Sequence, residues 1–165
     1  MFLIHYVTAQ CDTRREIRET PAPYINRYKD TVSRWTAGGS YGIVNSIHNS
    51  GRHGNEEFLL WHRLMLRLLE QWMGLTIPRW DSQDDASQLG PFRVGNSSVW
   101  DVLGERTGTV SWQQRHNGGR PVTRRWSSRV SIPNRNTLNA LLGERRFSRF
   151  SQRLEVYHGA VHVSY

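Results

Sequence analysis

The chain has 165 residues, enough for one domain whose core buries about 70% of the surface its unfolded form exposes. Seven Trp, six Tyr and five Phe exclude a disordered chain, and the single cysteine, Cys11, excludes an internal disulfide framework or a Cys-based metal site. The net charge of +8 brings nucleic acid and anionic surfaces into view. However, the arginines stand singly or in pairs, Lys29 is the only lysine, and no aromatic platform is interleaved with them. The charge reads as a solvated basic surface, and nucleic-acid binding is not expected.

Residues 1–13 form a separate N-terminal segment with a short apolar patch, Phe2-Leu3-Ile4. It has no basic lead and too short a hydrophobic stretch for a signal peptide, and no apolar run in the chain reaches the length of a membrane span. A single domain is expected over 14–165. Its first helix follows Pro21 and Pro23, with Tyr24, Tyr28, Val32 and Trp35 at helical spacing, and ends at Gly38-Gly39. Ile43, Val44, Ile47 and His48 predict a short second helix stopped by Asn49-Ser50-Gly51. From Asn55 to about Met73, apolar residues cover so much of the wheel that the third helix is expected to be buried on most sides.

Residues 81–135 are rich in Gly, Ser, Asn, Pro and Arg, and read as loop with short strands wrapped outside the helices. Asn134 or Asn136 can cap a helix through Leu141-Leu142, with Gly143 as its stop. A last helix carries Phe147, Phe150, Leu154, Tyr157 and Val161. The fold class is therefore mainly α, a helical bundle with a long irregular excursion.

Seven histidines are present: His5, His48, His53, His62, His116, His158 and His162. His158 and His162 are four apart on the last helix, so both imidazoles project from one face. Gly159 stands where a zinc protease of the His-Glu-x-x-His type needs its general base, which excludes that mechanism. His62 lies inside Leu60-Trp61-His62-Arg63-Leu64, an apolar setting in which an imidazole needs a partner. An imidazole cluster without thiolates favours copper, zinc, iron or nickel over magnesium or calcium.

The segment from His53 through Phe58-Leu59-Leu60-Trp61-His62-Arg63 to Glu70 resembles the copper A motif of the tyrosinase family, with all its spacings kept. Pro78-Arg79-Trp80-Asp81 is similar to that family's Pro-Tyr-Trp-Asp turn, and Gly90-Pro91-Phe92 with Trp100 to its intervening loop. Phe147 to Phe150 and Leu154 to His162 resemble the start of its copper B motif. The likeness covers roughly residues 14 to 165.

The resemblance implies a dinuclear type-3 copper site in which three histidines hold each ion. His48, His53 and His62 would hold copper A, while His158 and His162 would give two ligands of copper B. It also implies that Phe58 packs beside the ions and that Glu70 and Asp81 are outer partners of arginine or imidazole. The third copper B histidine of the family falls beyond Tyr165. Gly159 replaces the asparagine that follows the first copper B histidine, Gly51 replaces a thioether-forming cysteine, and Leu60 stands where proline is common. The Gly159 departure tilts the expected activity from monophenols toward diphenols. The expected function is oxidation of o-diphenols, and less readily monophenols, to o-quinones, impaired in these 165 residues because one copper B ligand is absent, with dioxygen and a small phenol as partners and a secreted or vesicular setting implied by the family. Two rivals are a dioxygen carrier of the haemocyanin kind and a non-catalytic copper-binding or basic scaffold fragment.

Overall fold

The computed structural model describes residues 13–51, 53–88, 97–105, 107–112, 123–124 and 133–162, with the backbone alone at 86–88 and 161–162. The described residues are mainly helical: α1 (Ala22–Ala37), α2 (Ser40–Asn49), α3 (Phe58–Met73), α4 (Ser82–Gln88), α5 (Val99–Leu103), α6 (Arg135–Leu142) and α7 (Phe147–His162). A 3-10 turn, Ile17–Glu19, precedes α1. Two short strands, β1 (Gly108–Thr109) and β2 (Thr123–Arg124), pair antiparallel. No described helix is long and apolar enough to cross a membrane.

The helix ends follow from local chemistry. Pro21 and Pro23 open α1 with preset φ and no N–H to satisfy. Gly39, at φ 80°, lets α2 start directly after α1, and Gly74, at φ 64°, stops α3 in the left-handed region that favours glycine. Asn134 caps α6 by accepting the Thr137 N–H at 2.9 Å. The excursion contains the two short strands expected of it, but also α4 and α5, which the loop reading missed. At α4, Asp81 accepts the Gln83 N–H at 3.2 Å, and Asp84 and Asp85 follow in the first turn. That acidic start is a helix signal independent of apolar periodicity.

The core is small and lies beside the 3-10 turn. Ile17, Ile25 and Val99 are buried together, with Trp80, Trp100, Val102 and Leu103 against them. Around it runs a buried polar hub. Arg18 donates to Asp85 Oδ1 at 2.7 Å, while Trp80 Nε1 and the Ser97 hydroxyl donate to Asp85 Oδ2 at 2.7 and 2.5 Å. The Ile17 N–H donates to the Arg79 carbonyl at 2.8 Å, and the Arg79 N–H to the Arg15 carbonyl at 2.9 Å. These bonds tie residues 15–17 to the strand-like stretch after α3.

The third helix departs from expectation. Phe58 and Glu70 are its buried residues, whereas Leu60 is 66% exposed, Leu64 60% and Trp72 58%. Its apolar wheel reflects two faces. One carries Phe58 and His62 toward α7; the other, with Ile43 and Ile47 of α2, is uncovered among the described residues. Apolar content alone could not separate a wholly buried helix from one with an apolar outer face.

Candidate metal centre

Four separate elements bring four imidazoles together. His48 comes from the last turn of α2, His53 from the loop after it, His62 from the second turn of α3 and His158 from the last turns of α7. One ring nitrogen from each lies within 4.8 Å of those of the other three. Ring centroids are 5.0 Å apart for His48–His53, 5.2 Å for His48–His62, 4.9 Å for His53–His62 and 5.0 Å for His62–His158. Nine residues on a helix span two and a half turns, so His53 and His62 could not face one point from a single helix. The loop placement of His53 solves that problem.

The His62 ring is oriented from outside the cluster. His62 Nδ1 lies 2.8 Å from the Phe58 carbonyl oxygen. A carbonyl only accepts, so Nδ1 carries the proton and Nε2 presents its lone pair to the cluster. That Nε2 is 3.2 Å from His48 Nε2. Two nitrogens bound at about 2.0–2.1 Å to one tetrahedral ion stand roughly 3.3–3.4 Å apart, so the pair has the separation of two ligands on one ion. Phe58, 2% exposed, lies 4.4 Å from the His62 ring and 5.1 Å from that of His158. It is a buried spacer packed between these two rings.

Gly51 also has a steric reason. A Cβ there would stand 2.5 Å from the Trp61 indole, closer than packed side chains come. Trp61 in turn lies 4.9 Å from His62, 6.1 Å from His48 and 6.3 Å from His53 by ring centroids. The indole is thus the wall against which three of the imidazoles are set, and it needs a glycine beneath it. Sequence reasoning took Trp61 only as part of a motif.

Glu70 and Asp81 do not serve the imidazoles. Glu70 Oε1 accepts from Arg14 Nε at 2.7 Å and the Ile77 N–H at 3.0 Å, and Oε2 accepts from Arg67 at 3.2 Å. It sits two helical turns from His62 and anchors the chain entering and leaving the bundle. Burial opposes its ionisation, but the Arg14, Ile77 and Arg67 donors outweigh that and hold its carboxyl below the usual glutamate range. Asp81 pairs with Arg79 at 2.9 Å, which lowers its pKa against the cost of burial. Of the two partners implied for these carboxylates, arginine is the one found.

His162 ends α7, but its side chain lies outside the described residues, as do His5, His116 and the Gly90-Pro91-Phe92 loop. Glu155, unnoticed in the sequence, accepts the Gly54 N–H with both carboxylate oxygens at 2.7 and 2.8 Å. Its signal was available: Ser151, Glu155 and His158 stand at helical spacings of four and three, on one face of α7. A groove of about 400 Å³ opens beside the cluster, lined by His53, Gly54, Gln152, Glu155, Val156, His158 and Gly159.

The arrangement can hold a metal ion. The donors are four neutral-capable imidazoles with no carboxylate or thiolate among them, a set suited to copper, zinc, iron or nickel. No family model matches the chain, and no curated protein is found similar to it.

Proposed function

We propose that the chain is a copper-binding oxidoreductase domain of the tyrosinase kind, acting on o-diphenols. The observation that carries this reading is the convergence of His48, His53, His62 and His158, residues that the resemblance singles out from two stretches far apart in the sequence. Copper bound there would supply redox chemistry, coupling oxidation of two catechols to two o-quinones with reduction of one dioxygen to two waters. The chain's own residues bind and orient. The Phe58 carbonyl keeps the His62 proton on Nδ1, Phe58 and Trp61 exclude water from the inner side of the rings, and the groove beside His53 and His158 admits a planar ring from solvent.

Gly159 lies on that groove, and a Cβ there would meet nothing within 4 Å. The glycine leaves the approach to His158 open and offers no side-chain amide to position a water. This favours diphenols, whose hydroxyl protons are acidic enough to be lost without such help, over monophenols. The test is copper uptake followed by quinone formation from catechol and from a monophenol. Whatever turnover is seen is expected to favour catechol over the monophenol; uptake of copper with no catechol oxidation would remove the enzymatic reading.

A second reading rests on the same distances. Because one nitrogen of each histidine lies within 4.8 Å of the other three, all four can serve a single ion. Four protein ligands around one tetrahedral ion are the mark of a structural site. In that case zinc as well as copper would bind, and either would raise thermal stability without conferring oxidase activity.

A further inference from the structure

His48, His62 and His158 stand on helices, whose backbones fix the direction of their side chains. His53 does not. It is the exposed member of the cluster and stands on a loop, where nothing in helical geometry holds it against the other three. Within the loop its N–H donates to the Gly51 carbonyl at 3.1 Å and its ring lies 6.3 Å from that of Trp61, but neither contact ties the loop to α7.

We propose that Glu155 of α7 is the positioning residue for His53, acting through the Gly54 amide. Both carboxylate oxygens of Glu155 accept the same Gly54 N–H, at 2.7 and 2.8 Å, across 101 residues of sequence. A hydrogen bond to an ionised acceptor is shorter and stronger than one between neutral groups. The loop is shaped to offer that amide: Gly54 has φ +75°, a left-handed conformation that side chains rarely adopt, with nothing within 4 Å of its missing Cβ. One helical turn earlier on α7, the buried Ser151 hydroxyl donates to the Asn55 carbonyl at 3.4 Å. Ser151 and Glu155 thus hold Asn55 and Gly54 from the helix face that also carries His158. The same face therefore supplies one imidazole directly and sets another, coupling the two ends of the chain at one point. This deepens the metal-site reading and rests on it only for the affinity arm of the test.

The experiment uses Glu155→Gln, Glu155→Ala, His53→Ala and the Glu155→Gln/His53→Ala double variant in the full chain. In metal-free protein, the Gly54 amide is followed by its NMR shift and hydrogen-exchange protection, and His53 by its imidazole resonances. Copper(II) is then titrated into each protein. Glu155→Ala is expected to shift the Gly54 amide, strip its protection and move the His53 resonances, with Glu155→Gln intermediate because it keeps one acceptor oxygen. Copper affinity is expected to fall about 10-fold in Glu155→Gln, with no further loss when that change is added to His53→Ala. Should Glu155→Ala misfold, Glu155→Gln carries both arms. An unchanged Gly54 amide, or losses that multiply in the double variant, would overturn the proposal. A wild-type chain that takes up neither copper nor zinc, but whose Gly54 amide still follows Glu155, would sink the metal reading and support the positioning role.

Discussion

Two regions of this molecule treat their polar groups in opposite ways. In the hub beside the 3-10 turn, donors meet acceptors of opposite charge: Arg18 lies between Glu16 and Asp85, and Arg14 and Arg67 converge on Glu70. Glu16, Asp85 and Glu70 are all buried there. Around His62, by contrast, four groups of one kind converge, and each is held from behind by a carbonyl, an aromatic wall or a loop anchor. Complementary charges neutralise one another and make a region that is complete as a scaffold. Like donors aimed at a common point make a region suited to a cation. The hub therefore accounts for stability, the cluster can hold a metal ion, and substitutions should separate the two.

The largest separation is expected from His62→Ala. His62 is central to the cluster, so its loss should weaken copper binding by well over 100-fold, beyond the 10–100-fold typical of an outer partner. The metal-free melting temperature should change far less than copper affinity, because the hub is untouched. Titration and calorimetry on the same samples check both halves. The converse variant is Glu70→Ala. It strips three donors of their shared acceptor, and since Arg14 keeps partial access to solvent the cost should be about 2–3 kcal/mol, below the full range for a broken buried pair. Denaturant midpoints should fall while copper affinity per folded molecule stays unchanged.

Gly51→Ala sits between the regions in its effects. Its Cβ would meet the Trp61 ring at 2.5 Å, and backbone and ring cannot both stay in place. Overpacking of this kind costs roughly 1–3 kcal/mol. Because Trp61 lies beside three imidazoles, copper affinity should fall together with stability, unlike in either variant above.

Acid separates the regions again. Glu16 and Glu70 both have lowered pKa values: burial acts against ionisation, but hydrogen bonds led by Arg18 for Glu16 and Arg14 for Glu70 prevail. A carboxyl with a lowered folded-state pKa stabilises above its unfolded value, near 4.3, and loses that contribution as pH falls through the folded value. Stability of the metal-free chain should therefore decline below about pH 4.5. Copper release should precede unfolding as the pH falls, because a ligand imidazole must be deprotonated to hold the ion. Coincident acid transitions for unfolding and copper release would break the comparison. The smallest effect is expected from Gly159→Asn, which enters open space and should change stability by no more than about 0.5 kcal/mol. Its value lies in the ratio of monophenol to diphenol turnover, which should rise.

The sequence disclosed the two regions unequally. The helices α1, α2, α6 and α7 were legible because Pro, Gly and Asn mark their ends, and His48, His53, His62 and His158 were legible because motif spacing pairs residues far apart in the chain. The hub was not, since Asp85 and Ser97 lie in a polar stretch that reads as loop, and their burial depends on Trp80 and Arg18 arriving from elsewhere. Glu70 was read with the site, but its partners Arg14 and Ile77 lie in segments that only the folded chain brings beside it. Glu155 was missed for a related reason: its partner is a backbone amide, and backbone partners leave no residue-type signature. The third helix misled because apolar content reports hydrophobicity all round, not which side is covered.

The central claim is that His48, His53, His62 and His158 hold one metal centre. Crystals of the chain grown with one equivalent of copper, with anomalous differences collected at the copper edge, test it most directly. The expected result is a dominant peak held by His48, His53 and His62, about 2.0–2.1 Å from His62 Nε2 and on the side that His158 faces; a peak bound equally by all four imidazoles would instead favour the single-ion structural site. A peak on surface residues with the four rings apart, or no ordered copper at all, would contradict it.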